Sequence, residues 1–298
     1  MRRRGLLRLW GAAGLSAFAT RAASGGDDGA AEPAEFLSPA PSGRIPVAFV
    51  LAEDAEVVDF AGPWGVFEYV DLPGQDGTPF QLFTVAETRR PLKVSGGLTV
   101  VPNHTFASAP QPRIIVVPAQ GEPSAGLLSW LKRSSLGAEL TMSVCNGAFV
   151  LAKAGLLSGK TATAHHAAYT LLSADFPDIK VKRGARFVDA GTVSTAGGLT
   201  SGIDLALHVV ERYYGRAAAE RTATALEYQG AGWKDPDSNA AFAARPVSTD
   251  ARPLCPVCEM EVDKRNAPSE TYRGRTYYFC SIADKKRFHA TPDRFTEP

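Results

Sequence analysis

The amino-acid sequence predicts an α/β fold built on a mostly parallel sheet. From Arg44 onward, short apolar runs alternate with amphipathic stretches, as in the segments IPVAFVLA, PWGVFEYV, FQLFTVA, RIIVVPA, LLSWLKRS and AELTMSV. Short β-branched runs separated by helical stretches indicate strands that are covered on both faces. The hydrophobic fraction of 45% over 298 residues is ample for a sizeable core.

The first 23 residues predict an export signal. They combine an arginine cluster, a modest apolar stretch and small residues from Ala17 to Ala23. The order RRGLL at residues 3–7 resembles a twin-arginine signal, which predicts a periplasmic or otherwise exported bacterial protein. A basic N-terminus that is retained is the alternative. Residues 24–43 are rich in small residues and proline, and they predict a flexible linker.

The rest of the chain divides into a main domain, a linker and a small C-terminal unit. The main domain is expected over residues 44–232, and residues 233–253 are polar and proline-containing, as in an interdomain linker. Residues 254–298 are too few for a good hydrophobic core, so a metal or docking onto the main domain is expected to help them fold. The last helix of the main domain is expected in GGLTSGIDLALHVVERYYG, where three apolar residues share one face: Ile203, Leu207 and Val210.

The charge balance argues against a nucleic-acid or membrane-surface partner. The chain has 32 basic and 31 acidic residues and a net charge of +1, so it lacks the basic excess that such partners select. Beyond the signal, no segment approaches the ~20 apolar residues that span a bilayer. A small-molecule ligand is the expected partner.

Cys145 lies where a predicted strand, Glu139 to Val144, meets a predicted helix, Gly147 to Ala154. This layout is typical of a nucleophile elbow, in which a tight turn holds the side chain clear of the backbone. The helix N-terminus would place partial positive charge beside the thiol, which predicts a depressed pKa and a reactive thiolate. A buried structural cysteine is the alternative.

Four ordered blocks extend this hypothesis to residues 44–232. The blocks RIPVAFVLAEDAEVVDFAGPWGVFEYV, VVPAQGEPS, SVCNGAFVLAKAGLLSGKTATAHH and STAGGLTSGIDLALHVVERYYG resemble the ThiJ/PfpI superfamily (class I glutamine amidotransferase-like), most closely its isonitrile hydratase-like branch. The resemblance implies a flavodoxin-like three-layer sandwich with the cysteine at the carboxyl edge of the sheet. It also implies that Asp59 approaches the thiol as acid or base. Capping of a helix that starts near Gly62 is the alternative role for Asp59.

The same resemblance suggests the rest of the pocket. Amides around Ala119, Gln120 and Gly121, with that of Asn146, could donate to an oxyanion. The family usually has a glycine pair at the positions of Ala119 and Gln120, so this departure narrows the pocket or changes its polarity. Asn146 stands where the hydratase branch has threonine and the protease-like branch histidine, which argues against a Cys-His peptidase dyad. Two neighbouring histidines complete the set: His165, a candidate proton shuttle or structural hydrogen-bonding group, and His166, in place of a common aromatic residue.

The C-terminal unit predicts a metal site. Cys255 and Cys258 form a C-x-x-C pair that can bind one soft ion. Cys280, beside an aromatic strand, supplies a third thiol. The segment resembles a YHS domain, related to small metal-binding modules of copper-transporting ATPases. Where many such domains have a fourth cysteine, this chain has Asp284; Asp284 or His289 could complete a zinc or copper site. A Cys255–Cys258 disulfide, with Cys280 packed inside, is the alternative.

Together these observations predict an exported, thiol-dependent hydratase or hydrolase that acts on a small carbon-nitrogen or carbonyl electrophile and carries a metal-binding module. The resemblance makes a homodimer plausible. Two other functions stay open at this point. One is a metal or redox sensor or carrier without turnover, and the other is a ligand-sensing domain related to transcription regulators.

Overall fold

The computed structural model describes residues 36–39 and 43–296. The predicted export signal and most of the predicted linker of residues 24–43 lie outside the described residues. The strands are β1 (Ile45–Val50), β2 (Phe80–Ala86), β3 (Leu92–Lys93), β4 (Thr99–Val100), β5 (His104–Thr105), β6 (Ile114–Val117), β7 (Leu140–Val144), β8 (Thr161–Ala162), β9 (Lys180–Val181), β10 (Phe187–Asp189), β11 (Val193–Ala196), β12 (Ser269–Tyr272) and β13 (Arg275–Tyr278). The α-helices are α1 (Val57–Glu68), α2 (Ala125–Ser135), α3 (Gly147–Lys153), α4 (Tyr169–Asp175), α5 (Ser201–Tyr214), α6 (Arg216–Ala225) and α7 (Ile282–Ala290).

Seven strands form the main sheet in the order β10-β11-β7-β6-β1-β2-β5. All neighbouring pairs in it are parallel except β10 and β11, which are antiparallel. This arrangement confirms the predicted fold class. Because β7, β6 and β1 are adjacent and parallel, the loops that follow them meet at one edge of the sheet, where open α/β sheets bind ligands.

Both faces of the sheet are covered, as the apolar strands predict. On one face α1, α5 and α6 contribute to a core that includes Phe49, Phe67 and Tyr213. On the other face α2, α3 and α4 pack against residues such as Ile115 and Val117. The strands are therefore buried on two sides, which explains why their sequences are apolar runs rather than alternating ones.

The ends of the main domain differ from the sequence prediction. The helix that contains Leu207 and Val210 is α5, and it is followed by α6, so it is not the last helix of the domain. Trp233 is 3% exposed and packs into the core, so the packed chain continues into the segment assigned as a linker. At the other end, Leu37 donates from its backbone N–H to Arg212 O at 2.9 Å, which fixes residues 36–39 of the predicted flexible linker on the domain.

The C-terminal unit is an antiparallel hairpin, β12 and β13, followed by α7. Its small core contains three phenylalanines, Phe279, Phe288 and Phe295, and it is extended by Leu171 and Ala174 of α4. The described residues, 36–39 and 43–296, belong to one compact unit. Docking onto α4 thus supplies apolar contacts that so short a segment could not supply alone.

Candidate functional site

Cys145 lies on a strained turn between β7 and α3, as the elbow hypothesis predicts. Its φ angle is +59°, a left-handed conformation that non-glycine residues adopt at a cost of about 1–3 kcal/mol. Gly147 allows the turn to approach β6, because a Cβ atom there would lie 2.2 Å from Val117 O. The strain and the close approach hold the thiol at the carboxyl edge of the sheet.

Asp59 is the acidic partner of the thiol. It lies in the first turn of α1 and is 0% exposed. Its Oδ2 accepts a hydrogen bond from Ala119 N at 3.0 Å, and its charge acts on Cys145 and raises the pKa of that thiol. Capping is not its role, since the N-cap residue is Glu56 and no side chain caps this helix.

Burial sets the protonation of this pair. Desolvation, with a smaller contribution from the nearby Glu56 charge, raises the pKa of Asp59 to about 7. Desolvation and the Asp59 charge raise the pKa of Cys145 to about 12, despite hydrogen bonds from the Asn146 and Leu199 amides. The predicted depressed pKa of Cys145 is therefore wrong. Burial destabilises the thiolate by more than the backbone N–H groups of the elbow stabilise it. At neutral pH the site holds a thiol beside a carboxyl group that exchanges its proton near pH 7.

Two of the backbone amides assigned to an oxyanion site already have acceptors. The Ala119 amide donates to Asp59, and the Gly121 amide donates to Glu53 O at 3.0 Å. Neither is available to a ligand in this conformation, which corrects the sequence hypothesis. The backbone N–H of Asn146 acts on the Cys145 sulfur, and Asn146 is exposed. Gln120 has a partly buried side chain on the same loop.

The two histidines lie beside the loop that follows β11. The His165 ring packs on Gly198, where a Cβ atom would lie 2.5 Å from the ring, and its Nδ1 accepts from Ala167 N at 3.3 Å. His166 is exposed and stacks on Phe242, with ring centroids 4.2 Å apart. Burial lowers the pKa of both imidazoles, so both are neutral at pH 7. His165 is fixed next to the segment whose Leu199 amide contacts Cys145.

Sequence reasoning missed Glu56 and Leu199. Glu56 raises the pKa values of Asp59 and Cys145, and its Oε1 accepts from Ser95 Oγ at 3.0 Å. Its position three residues before Asp59 was the available signal. Leu199 has φ +44°, and no sequence pattern identifies a leucine in that conformation.

A second cluster forms in the C-terminal unit from Cys255, Cys258, Cys280 and Asp284. Its four donor atoms all lie within 4.8 Å of one another. Asp284 Oδ2 is 3.1 Å from the Cys280 sulfur and 3.4 Å from the Cys255 sulfur, and the Cys258 and Cys280 sulfurs are 3.4 Å apart. Tetrahedral zinc with bonds of about 2.3 Å to sulfur needs donor atoms about 3.8 Å apart, so these residues fit a metal ion.

The remaining expectations for this cluster are corrected by the structure. His289 lies outside it, with Nδ1 2.9 Å from Glu270 Oε1, so Asp284 is the fourth donor. All four cysteines of the chain are described, and each is a free thiol. The packed cysteine is Cys255 rather than Cys280, which is exposed. Hydrogen bonding from Cys258 lowers the pKa of Cys255 to about 7.

Glu259, the residue after Cys258, attaches the C-terminal unit to the main domain. Its side chain is 8% exposed and pairs with Arg183 at 2.8 Å and Arg245 at 3.2 Å. Thr170 Oγ1 of α4 also donates to it. A cleft of about 420 Å³ lies at this junction, lined among others by His166, Phe242, Arg183, Cys258 and Glu259.

Glu259→Gln is expected to destabilise the protein by about 1–3 kcal/mol, because it removes the carboxylate that pairs with Arg183 and Arg245 while leaving two partly exposed arginines. The matched control is Glu261→Gln, which breaks a pair with Arg252 whose side chains are 65% and 62% exposed and should cost about 0–1 kcal/mol. Guanidinium unfolding followed by tryptophan fluorescence measures both. Equal losses in the two variants would show that Glu259 does not attach the unit.

No helix in the described part of the chain is long and apolar enough to cross a bilayer.

Comparison with known proteins identifies both parts of the chain. Residues 46–212 match the DJ-1/PfpI family, and residues 255–298 match the YHS domain. The chain is 33% identical over 191 residues to isonitrile hydratase of Pseudomonas putida, covering 62% of this chain and 78% of that protein. It is 28% identical over 129 residues to the HTH-type transcriptional regulator CdhR of Pseudomonas aeruginosa, covering 42% of this chain and 38% of the regulator.

Solved structures show the same fold. A ThiJ/PfpI family protein from Pseudomonas syringae superposes with a TM-score of 0.57 at 26% identity, covering 63% of this chain and 76% of that one. Drosophila melanogaster DJ-1beta superposes with a TM-score of 0.53 at 18% identity, covering 62% and 98% of the two chains. The family match covers more than half of the sequence, and the fold and the elbow agree with it. The chain therefore belongs to the DJ-1/PfpI family and carries a C-terminal YHS domain.

Proposed function

We propose that the main domain hydrates small isonitriles or related carbon-nitrogen electrophiles through Cys145. The observation that carries this proposal is the buried pair of Cys145 and Asp59, in which the thiol stays protonated and the carboxyl group titrates near pH 7. An acid–base group works best when its pKa is near the operating pH. The similarity to isonitrile hydratase supports the choice of substrate class.

An isonitrile suits such a pair because its terminal carbon accepts both a nucleophile and a proton. The Cys145 S–H bond breaks, a new S–C bond forms, and Asp59 relays the proton to the same carbon, which gives a thioimidate, R–N=CH–S–Cys145. Water then adds to the C=N bond, with Asp59 as the base. Cleavage of the C–S bond releases the N-substituted formamide and restores the thiol.

The test incubates the full chain with n-butyl isonitrile and follows the formyl proton of N-butylformamide by NMR. We expect catalytic accumulation of formamide, with a rate that changes around pH 7 as Asp59 titrates. An absence of formamide above the buffer reaction, at protein concentrations that give single turnover, would refute the hydratase proposal.

For the YHS domain we propose a zinc site held by Cys255, Cys258, Cys280 and Asp284. Zinc accepts thiolate and carboxylate ligands together, whereas cuprous copper prefers sulfur alone. A bound zinc ion with four protein ligands would supply structural cross-linking rather than an open catalytic position. It would join the hairpin and α7 to the C-x-x-C turn in a segment with a small core.

A metal-linked sensor without turnover is the second candidate. Cys258 and His166 line the same cleft, and this favours the sensor. A metal ion bound at Cys258 would change the shape and charge of the cleft beside His166. We also propose export by a twin-arginine route and assembly as a homodimer, on the sequence resemblances alone. The similarity to transcription regulators covers 38% of CdhR, and we propose no DNA-binding role from it.

A further inference from the structure

We propose that Cys258 and Cys280 are a redox-active pair, which forms an intramolecular disulfide when a small two-electron oxidant such as hydrogen peroxide reaches the C-terminal unit. The disulfide removes two of the four ligands of the proposed zinc site, so oxidation releases the ion. This second consequence rests on the zinc site proposed above, whereas the disulfide itself rests on the placement of the two thiols.

The two sulfur atoms lie close enough to bond after a small movement. They are 3.4 Å apart, although the two cysteines are 22 residues apart in the sequence. A disulfide bond is about 2.05 Å long, so the sulfurs need to approach by about 1.4 Å, which is on the scale of a side-chain rotation. The fold itself therefore brings this pair of thiols together.

The backbone on each side of the pair is fixed. Cys258 lies on a turn that is closed by a hydrogen bond of 2.8 Å from Cys255 N to Met260 O. Cys280 directly follows Phe279, which is 0% exposed in the small core. Because both thiols start from an ordered backbone, joining them orders little additional chain, and this favours a bond within one molecule over a bond between two.

The pair is also the part of the cysteine cluster that an oxidant can reach. Cys280 is exposed, and Cys258 is partly buried and lines the cleft of about 420 Å³ at the junction. Cys255 is 0% exposed. Accessibility and a neighbouring thiol are typical of redox-sensitive cysteines. Oxidation therefore selects Cys258 and Cys280, rather than the Cys255–Cys258 pair that the C-x-x-C spacing suggests.

The reaction begins at Cys280, the exposed thiol. Its thiolate sulfur attacks one oxygen of hydrogen peroxide, so that an S–O bond forms and the O–O bond breaks, which leaves a sulfenic acid and releases hydroxide. The Cys258 sulfur then attacks the Cys280 sulfur, the S–S bond forms as the S–O bond breaks, and the hydroxyl group leaves as water with the Cys258 proton. The two thiols lose two electrons in all, and the peroxide is reduced to two molecules of water.

Oxidation would replace one cross-link in the C-terminal unit by another. Cys255 and Asp284 are the donors that remain, too few to hold zinc. The disulfide joins the C-x-x-C turn to the end of the hairpin and closes a loop that contains β12 and β13. A disulfide across such a loop restricts the unfolded chain, so the oxidised unit stays folded after the ion leaves. A dithiol reductant reverses the change.

The test treats two samples of the full chain with hydrogen peroxide, one loaded with zinc and one reduced and stripped by a chelator. A chromophoric chelator reports zinc release, and mass spectrometry of peptides prepared without reduction identifies the disulfide. We expect a Cys258–Cys280 disulfide in both samples, release of the bound zinc from the loaded one, and renewed zinc binding after dithiothreitol. The guanidinium midpoint of the stripped protein should rise on oxidation.

Three variants assign the effect to this pair. Cys145→Ser keeps every thiol of the cluster, so it should form the same disulfide and release zinc as the wild type does. Cys255→Ser keeps the pair, and it should form the disulfide even where zinc binding is lost. Cys280→Ser should form no intramolecular disulfide, and its midpoint should not rise with peroxide.

A Cys255–Cys258 disulfide, a disulfide between two molecules, or oxidation of Cys258 and Cys280 to sulfinic acids without a disulfide would overturn the proposal. Zinc that stays bound at a peroxide concentration sufficient to oxidise the stripped protein would overturn the release of the ion. A Cys258–Cys280 disulfide in a protein that binds no zinc would support the redox pair and refute the zinc site, so the two proposals fail separately.

Discussion

Replacing Cys145 by serine is expected to abolish hydration of n-butyl isonitrile, with a rate loss of at least about 10³-fold. A serine hydroxyl is a far weaker nucleophile than a thiol, and the buried Asp59 cannot ionise it. Asp59→Asn should cause a comparable loss because it removes the proton relay. The matched control is Asp76→Asn, an exposed carboxyl group on the loop before β2, which should retain full activity. NMR detection of the formyl proton measures all three variants.

Asp59→Asn should have the opposite effect on simple alkylation of the thiol. The Asp59 charge contributes to the raised pKa of Cys145, so its removal lowers that pKa and increases the thiolate fraction at pH 8–9. Alkylation by iodoacetamide should therefore accelerate while hydration stops. A parallel loss of both reactions would mean that Asp59 only maintains the local structure.

The same substitution tests the energetics of the site. The folded-state pKa of Asp59 is raised to about 7 above an unfolded value of about 4, so its burial becomes more costly as the pH rises from 4 to 7. Asp59→Asn removes that cost. Its denaturation midpoint relative to the wild type should therefore be higher at pH 8 than at pH 5, because only at pH 8 is the wild-type carboxylate ionised.

The parts of the molecule that depend on local pattern were predictable from the sequence. Apolar runs with helical intervals gave the parallel sheet, and the small residues around Cys145 gave the turn between β7 and α3. The C-x-x-C pair and Cys280 were predicted to form one cluster from the spacing of the pair and the resemblance of the segment to a YHS domain. The sheet and the turn follow from neighbouring residues, whereas Cys280 reaches the C-x-x-C pair across 22 residues of sequence.

The parts that depend on tertiary packing were not predictable. The pKa of Cys145 follows from burial, which no local motif reveals, and the sign of the prediction was wrong for that reason. The N–H groups of Ala119 and Gly121 are predicted as oxyanion donors, but tertiary packing gives them Asp59 and Glu53 O as acceptors. Trp233 was placed in a linker because its segment is polar, although the tryptophan itself packs into the core.

Replacing Cys255 by serine is expected to remove most of the bound zinc from protein purified with the metal. Cys255 is 0% exposed, and its loss leaves two thiols and one carboxylate, too few soft ligands to hold the ion. Asp284→Asn should weaken zinc binding by at least about 10-fold, because it removes one of the four ligands while the three thiolates remain. Elemental analysis and competition with a chromophoric chelator measure content and affinity.

Two controls separate metal binding from general damage. His289→Ala should leave zinc affinity unchanged, because His289 pairs with Glu270 outside the cluster. Cys145→Ser should also leave it unchanged, since the elbow is built on a different part of the fold. Because zinc that binds only the folded state adds to its stability, chelation should lower the guanidinium midpoint of the wild type and of His289→Ala, but not that of Cys255→Ser. Zinc loss in Cys145→Ser would contradict this division, because it would make the elbow thiol a ligand and favour the metal-linked sensor over the hydratase.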